Sequence, residues 1–157
     1  MKIISGGQTG VDRGALDAAI ALGIEHGGWC PLGRLAEDGR IPDRYALCET
    51  ERPDYSERNE RNVLDGGATL ILCRGPISGG TELTRRLGEG HKRPCLVVDL
   101  DGPADVEPVR RWLVEHRVTV LNVAGPRESQ SPGIAAAARR FIERLLAEES
   151  SESGEGS

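Results

Sequence analysis

Aromatic residues are scarce in this 157-residue chain, where Trp, Tyr and Phe together make up 3% of the sequence. Proteins that bind single-stranded nucleic acid stack bases on aromatic side chains, so the shortage gives that function class no support. The formal net charge of -5 argues against broad binding of nucleic acid or a membrane through the protein surface. We therefore expect neither nucleic acid nor membrane as a partner, while a local basic pocket remains compatible with this charge.

Paired cysteines and long apolar runs are also missing. The cysteines at positions 30, 48, 73 and 95 form no C-x-x-C pair, which excludes zinc-ribbon and thioredoxin-type sites. The three histidines lie far apart in the sequence, and we expect no metal site. No apolar run has the length of a membrane span, and the first strand leads into glycines instead of a signal-peptide core. These features predict a cytoplasmic protein with free thiols.

Glycine is abundant, with 21 residues, and the apolar fraction of 38% is enough for one packed domain. Residues 68–73 form an uninterrupted apolar run, which is typical of a central parallel strand covered on both faces. Helical stretches such as 11–22, with Val11, Ala15 and Ala18 on one face, alternate with strands along the chain. This alternation predicts an α/β fold with a single doubly wound sheet, mostly parallel, and helices on both faces.

The predicted elements fill residues 1–147, and the acidic, Ser- and Gly-rich residues 148–157 are expected to form a flexible tail. The long segment between the second strand and the second helix is rich in Gly, Pro and charge, and such a loop is usually functional or a lid. The predicted strands are 2–5, 25–29, 68–73, 95–100 and 119–123, and the predicted helices are 11–22, 54–65, 81–90, 104–116 and 132–147.

The first candidate site is the turn between the first strand and the first helix. Its glycines permit positive φ and let a ligand oxyanion approach the main-chain N–H groups. The helix that follows adds unpaired N–H donors and a partial positive charge. Asp12 is expected to cap this helix or to favour its dipole. The candidate ligand-binding residues of this turn are Gly6, Gly7, Gln8, Thr9, Gly10 and Arg13.

The second candidate site is the turn after the strand at 68–73, which also opens a helix. Arg74 directly follows the strand, and we expect it to contact phosphate. The candidate residues of this turn are Arg74, Ser78, Gly79, Gly80 and Thr81. Ligands in such folds bind at the carboxyl ends of the strands, so two such turns on neighbouring strands would face one another across a crevice. We expect a small phosphate-bearing ligand there.

Neither turn carries the G-x-G-x-x-G or Walker pattern, which argues against nicotinamide and nucleoside-triphosphate sites.

Five stretches of the chain together resemble the molybdenum cofactor carrier family: residues 5–13, 27–31, 36–39, 55–63 and 78–81. The resemblance covers nearly the whole chain apart from the acidic tail. It implies a Rossmann-like fold, a homo-oligomer (a dimer or a tetramer) and binding of the molybdenum cofactor, a phosphate-bearing pterin whose dithiolene holds a molybdenum oxo group. A molybdoenzyme would then be the acceptor of the cofactor.

The wider superfamily includes the lysine-decarboxylase-like phosphoribohydrolases, whose second loop reads P-G-G-x-G-T-x-x-E and ends on a catalytic Glu. Aligning Gly80 and Thr81 with that motif places Thr84 at the position of the Glu, while Glu82 comes two residues too early. A Thr hydroxyl cannot stabilise an oxocarbenium-like centre or activate water as a carboxylate does. We therefore expect no catalytic residue and a carrier rather than an enzyme. A nucleotide phosphoribohydrolase and a nucleotide-ligand sensor are the alternatives.

Other residues carry weaker hypotheses. Trp29 ends the second strand and is a candidate for stacking on a pterin ring, with a half-buried core aromatic as the equal alternative. Arg58 and Asn62 are four residues apart on the second helix, with Asn59 beside them. They face either the crevice or solvent. The arginines at 34, 40 and 44 on the long segment close over phosphate or are simply solvated.

Overall fold

Strands and helices alternate along the chain, as the sequence predicts. The computed structural model describes residues 1–146 and assigns the backbone of the last helix as far as Glu155. The side chains of the acidic tail predicted at 148–157 lie outside the described residues. The elements are β1 (Lys2–Ile4), α1 (Val11–Leu22), β2 (Glu25–Gly27), β3 (Trp29–Cys30), β4 (Leu35–Ala36), β5 (Gly39–Arg40), β6 (Cys48–Glu49), α2 (Tyr55–Asp65), β7 (Ala68–Cys73), α3 (Gly79–Gly90), β8 (Cys95–Asp99), α4 (Val106–Glu115), β9 (Val120–Ala124) and α5 (Ile134–Glu155).

The main sheet has five parallel strands in the order β2-β1-β9-β7-β8. Helix α1 packs against α5, which also contacts α4, whereas α2 packs against α3. The predicted Rossmann-like α/β fold with a parallel sheet is thus confirmed. All six residues of β7 are buried, as expected for a central strand.

The strand order corrects one expectation from the sequence. Strand β9 lies between β1 and β7, so the two glycine-rich turns do not follow neighbouring strands. Both turns still leave the same edge of the sheet because all these strands are parallel. The turn after β9, at residues 125–133, therefore comes between them and contributes its own side chains to that edge.

The segment predicted as irregular, residues 30–53, contains short strands. The predicted second strand, 25–29, breaks at Gly28, whose φ of 125° suits glycine alone, and its second half pairs with β6. Strands β4 and β5 form an antiparallel hairpin. The segment is anchored by a small second core of Leu16, Cys30, Ile41 and Tyr45. These strands have only two residues each, too few to show a period in the sequence.

No helix within the described part of the chain is long and apolar enough to cross a lipid bilayer.

The contact between α1 and α5 requires a glycine at position 14. A Cβ on Gly14 would lie 2.3 Å from the carbonyl oxygen of Ala135. We expect Gly14→Ala to lower the free energy of unfolding by about 1–3 kcal/mol, because the two helices must move apart. Urea unfolding followed by circular dichroism measures this difference.

Gly90→Ala is the matched control, since a Cβ on this helical glycine meets nothing within 4 Å. That change should leave stability unchanged or raise it by about 0.5–1 kcal/mol. Equal effects at the two positions would contradict the close helix contact.

Candidate functional site

A cleft of about 510 Å³, counting its part open to solvent, lies where β1, β9 and β7 end. We call it the central cleft. Residues from the three turns that follow these strands line it together with residues of α2. Among the residues predicted from the sequence, Gln8, Gly80 and Thr81 line this cleft. The position agrees with the rule that ligands of open α/β sheets bind outside the carboxyl ends of the strands.

A buried ion pair forms the floor of the central cleft. An Nη of Arg58 lies 3.3 Å from Oδ2 of Asp12, and both side chains are only 9% exposed. The same Nη donates a hydrogen bond of 3.1 Å to the carbonyl oxygen of Gly6. A Cβ at Gly6 would lie 2.1 Å from this Nη, so the glycine is required for the guanidinium to rest on the main chain. Arg58 Nε is buried and has no hydrogen-bond partner among the described residues.

Asp12 lies in the first turn of α1, where a carboxylate favours the helix dipole, but no side chain caps this helix, and Asp12 also lines the cleft. Its Oδ2 accepts a hydrogen bond of 3.2 Å from the N–H of Gln8. Burial raises the pKa of the Asp12 carboxyl above its ordinary value of 3.8, although Arg58 and the Gln8 amide oppose the shift. The carboxyl group lines the central cleft and also its narrow inner end.

Some donors of the first glycine-rich turn are used within the protein, whereas the amides of Gly6, Gly7 and Gly10 have no acceptor among the described residues. The N–H of Thr9 donates to Oε1 of Gln8 at 3.1 Å, and the Thr9 hydroxyl donates to Glu37. A Cβ at Gly10, where φ is 83°, would lie 2.3 Å from the carbonyl oxygen of Pro126. The glycines of this turn therefore accommodate neighbouring parts of the chain, namely Arg58 at Gly6 and the turn after β9 at Gly10.

Arg13 points to a different side of the first turn. Its Nε donates to the carbonyl oxygen of Gly7 at 3.0 Å, and its two Nη atoms bind both oxygens of Asp38 at 2.5 and 2.8 Å. This bidentate contact lowers the pKa of Asp38. Arg13 lines a separate, shallower depression beside α5 rather than the central cleft.

The turn after β9 also carries its own carboxylate. Glu128 accepts hydrogen bonds from the N–H groups of Gly133 at 2.6 Å and Ala135 at 3.0 Å, and so caps the start of α5. Arg127 of the same turn lines the central cleft, and no ion pair or hydrogen bond involves its side chain among the described residues.

In the turn after β7, Asp99 accepts from the N–H of Gly75 at 3.2 Å, but the first amides of α3 are free. Within the described chain, no protein group accepts a hydrogen bond from the amides of Gly79 and Gly80, whereas the amides of Thr81 and Glu82 bond to the carbonyl oxygen of Ser78 at 3.2 and 3.4 Å. No side chain caps α3 at Ser78. The acid in its first turn, Glu82, instead contacts the guanidinium groups of the arginines at 85 and 86. The start of α3 thus keeps free donors beside the central cleft.

Like Arg13, two further predicted residues lie outside the central cleft. The indole Nε1 of Trp29 donates to Asp65 at 2.7 Å, and the guanidinium of Arg61 lies 4.9 Å from the centre of a ring of Trp29. An Nη of Arg74 donates to the carbonyl oxygen of Pro132 at 3.1 Å. Trp29 therefore already has a cation over its ring, and Arg74 ties its own turn to the turn after β9.

Several cleft residues were only weak candidates in the sequence or were missed. The i, i+4 spacing of Arg58 and Asn62 did point to a shared face, and both side chains are buried. Arg127 was missed because nothing local to the turn after β9 shows that β9 runs between the other two strands. No group of three or more His, Cys, Asp and Glu side chains in the described residues is arranged to hold a metal ion.

The raised pKa of Asp12 predicts a specific pH dependence of stability. A carboxyl whose folded pKa exceeds its unfolded value binds more protons in the folded state between those two pH values. The Asp12 carboxyl therefore contributes most to stability below its unfolded pKa of about 3.8. This contribution is lost as the pH rises through the pKa of Asp12 in the folded protein. The free energy of unfolding of the wild type, minus that of Asp12→Asn, should fall as the pH rises over this window. Urea unfolding of both proteins between acidic and neutral pH measures the difference, and a difference that grows with pH would contradict the assignment.

Comparison with known proteins agrees with this architecture. The chain is similar to a solved crystal structure of a protein from Syntrophus aciditrophicus SB that is named putative molybdenum carrier protein, with 49% identity and a TM-score of 0.88 over 92% of this chain and 94% of that one. No curated protein sequence matches the chain significantly. A family model described as circularly permutated YpsA SLOG family matches residues 3–146. The chain belongs to this circularly permutated YpsA SLOG family.

Proposed function

We propose that the chain is a carrier that binds the molybdenum cofactor in the central cleft, with the phosphate of the cofactor at the start of α3. The observation that carries the proposal is the combination of free amides at Gly79 and Gly80 with the unpaired, buried Nε of Arg58 at the same cleft. The phosphate would accept hydrogen bonds from both.

Comparison of the three turns argues for this position. The start of a helix offers unpaired N–H groups and a charge equivalent to about +0.5, which attract anions. At the start of α1 the carbonyl oxygen of Pro126 accepts from the N–H of Val11 at 3.2 Å, and at the start of α5 the carboxylate of Glu128 accepts from two N–H groups. In the turn after β7, Asp99 accepts from the N–H of Gly75, but no group of the described residues accepts from the amides of Gly79 and Gly80 at the helix start, so an external anion meets free donors there.

Charge supports the same assignment. Arg58 is largely neutralised by Asp12, but its free Nε still lacks the hydrogen-bond acceptor that a buried donor requires. Arg127 adds a cation to the cleft that no carboxylate of the described chain contacts. A phosphate monoester carries about −1.5 to −2 charges at neutral pH, so it suits a cleft with this surplus of donors and one unpaired cation.

The similar protein from Syntrophus aciditrophicus SB is named for carrying molybdenum. We extend this to the molybdenum cofactor because the cofactor supplies the phosphate group that the free donors at the start of α3 require. The acceptor would be a molybdoenzyme, and we propose a homo-oligomer as the functional form.

A catalytic role is not part of the proposal. Thr84 lines the cleft at the position where phosphoribohydrolases carry their Glu, and its hydroxyl donates to the carbonyl oxygen of Gly80 at 3.1 Å. The carboxylate of Glu82 is held by Arg85 and Arg86. Helix α3 thus supplies no carboxylate that could stabilise an oxocarbenium-like centre.

The first test places a fixed negative charge where the phosphate is proposed to bind. A side chain at Gly80 meets nothing within 4 Å, and an acid in the first turn of a helix is favourable. We expect Gly80→Asp to keep or slightly raise stability and to weaken binding of the cofactor about 100-fold or more, since two anions would repel at one site. The neutral, isosteric Gly80→Asn is the control and should bind more tightly than Gly80→Asp. Equal affinities for the two variants would count against a phosphate at this turn.

The second test removes the free Nε and keeps the charge. We expect Arg58→Lys to weaken cofactor binding by about tenfold, because a hydrogen bond to a charged group contributes about 1.5–3 kcal/mol and an ammonium cannot replace the guanidinium fork. Arg61→Lys is the matched control, since Arg61 is on the same helix but packs over Trp29. Its affinity should equal that of the wild type, and quenching of intrinsic or pterin fluorescence measures both.

The carrier activity itself is tested on protein loaded with the cofactor under anaerobic conditions. We expect loaded protein to slow the oxidative decay of the cofactor and to pass it to an apo-molybdoenzyme, which regains activity. Decay as fast as in buffer would overturn the proposal. Release of free base from nucleoside monophosphates would also overturn it, in favour of a phosphoribohydrolase.

A further inference from the structure

The tip of the β4–β5 hairpin is fastened to the first glycine-rich turn by two carboxylates. Asp38 binds Arg13 through both oxygens, at 2.5 and 2.8 Å. Glu37 contacts the Thr9 hydroxyl and also Ser129 of the turn after β9. The hairpin tip therefore bridges two of the three turns at the carboxyl edge of the sheet.

The surroundings of the Glu37 carboxylate are those of a bound anion. Oε2 accepts from the Thr9 hydroxyl and from the N–H of Ser129 at 3.2 Å, and Oε1 accepts from the Ser129 hydroxyl at 2.5 Å. The N–H of Glu128 donates to Thr9 Oγ1 at 3.1 Å, which leaves the Thr9 proton directed at Glu37. Desolvation by neighbouring groups opposes ionisation of Glu37, but the hydrogen bonds from Ser129 and Thr9, with the nearby charge of Arg127, lower its pKa. We call this set of donors the Thr9–Ser129 cradle.

We propose that the Thr9–Ser129 cradle is a second oxyanion subsite, that Glu37 occupies it in the free protein, and that a tetrahedral oxyanion displaces Glu37. The ligand class is phosphate or molybdate, whose oxygens match the hydroxyl and amide donors that now hold the carboxylate. This subsite is distinct from the phosphate position at the start of α3 and does not depend on it.

Glu37 has the features of a displaceable occupant. It is exposed, and it projects from a hairpin whose strands have two residues each. No carboxylate of the described chain contacts Arg127, which acts on Glu37 through its charge. A doubly charged oxyanion in the cradle would be attracted to Arg127 more strongly than the single charge of Glu37 is. Glu37 competes with a free oxyanion for the cradle donors only because the hairpin holds it nearby, at an effective concentration of the order of millimolar.

The cradle is connected to the central cleft through one side chain. Oε1 of Gln8 accepts the N–H of Glu37 at 2.9 Å and the N–H of Thr9 at 3.1 Å, while Gln8 itself lines the central cleft. Movement of the hairpin tip would remove one of these two hydrogen bonds. Occupation of the cradle would thereby free Gln8 to contact a ligand in the cleft.

The test is a titration of the wild type and of Glu37→Ala with inorganic phosphate, followed by ¹⁵N–¹H spectra. The amides of Thr9 and Ser129 report on the cradle, and those of Gly79 and Gly80 report separately on the start of α3. We expect the cradle amides of Glu37→Ala to titrate with a Kd about tenfold or more below that of the wild type, because the tethered competitor is gone. Sodium molybdate is titrated in a second arm, and the anion with the lower Kd at the cradle identifies the ligand.

Glu115→Gln is the matched control, since it removes one exposed carboxylate on α4, away from the cradle, and should leave both Kd values unchanged. The subsite is disproved if the Kd at the cradle amides is no lower in Glu37→Ala than in the wild type. It is also disproved if Glu115→Gln lowers this Kd as much as Glu37→Ala does. Absence of shifts at Gly79 and Gly80 alone would count against the phosphate position in the proposed function and leave the cradle standing.

Discussion

The buried contact between Arg58 and Asp12 is the interaction on which the rest of this edge of the molecule depends. It joins α2 to the first turn of α1 and positions the guanidinium over the main chain of Gly6. Removal of one partner from a buried ion pair leaves an uncompensated charge and costs about 3–5 kcal/mol. The pair thus joins α2 to the base of the central cleft, and it leaves the buried Nε of Arg58 without an acceptor among the described residues.

The helix starts at this edge of the sheet differ in how their N–H donors are satisfied. Every helix start offers N–H groups that need acceptors. The carbonyl oxygen of Pro126 satisfies such a donor at α1, and Glu128 does so at α5. At the start of α3, no group of the described residues accepts from the amides of Gly79 and Gly80. A glycine-rich turn is therefore a possible anion site, and the acceptors supplied by the remainder of the chain decide whether it stays open.

Glycine serves two different purposes in these turns. At the first turn it allows close approach within the protein, because Arg58 lies against Gly6 and the carbonyl of Pro126 lies against Gly10. At the start of α3, Gly80 has free space where a Cβ would be, and the main chain is open to the cleft. The two patterns look alike in the sequence because glycine leaves the same signal in both cases. They differ only in what approaches the main chain.

The sequence by itself determined the α/β alternation, the helix bounds 11–22, the buried strand 68–73 and the two glycine-rich turns, because periodicity and turn residues are local signals. It also pointed to the start of α3, where Gly80 and Thr81 line the cleft. Only the tertiary structure decided that β9 separates β1 from β7, that Arg127 enters the cleft, and that Glu37 and Asp38 use the donors of the first turn. Those facts depend on contacts between residues far apart in the sequence, such as Glu37 with Ser129, 92 positions apart, and Thr9 with Glu128, 119 positions apart. Strand order and the pairing of charges are properties of the packed chain, and no local pattern of residues encodes them.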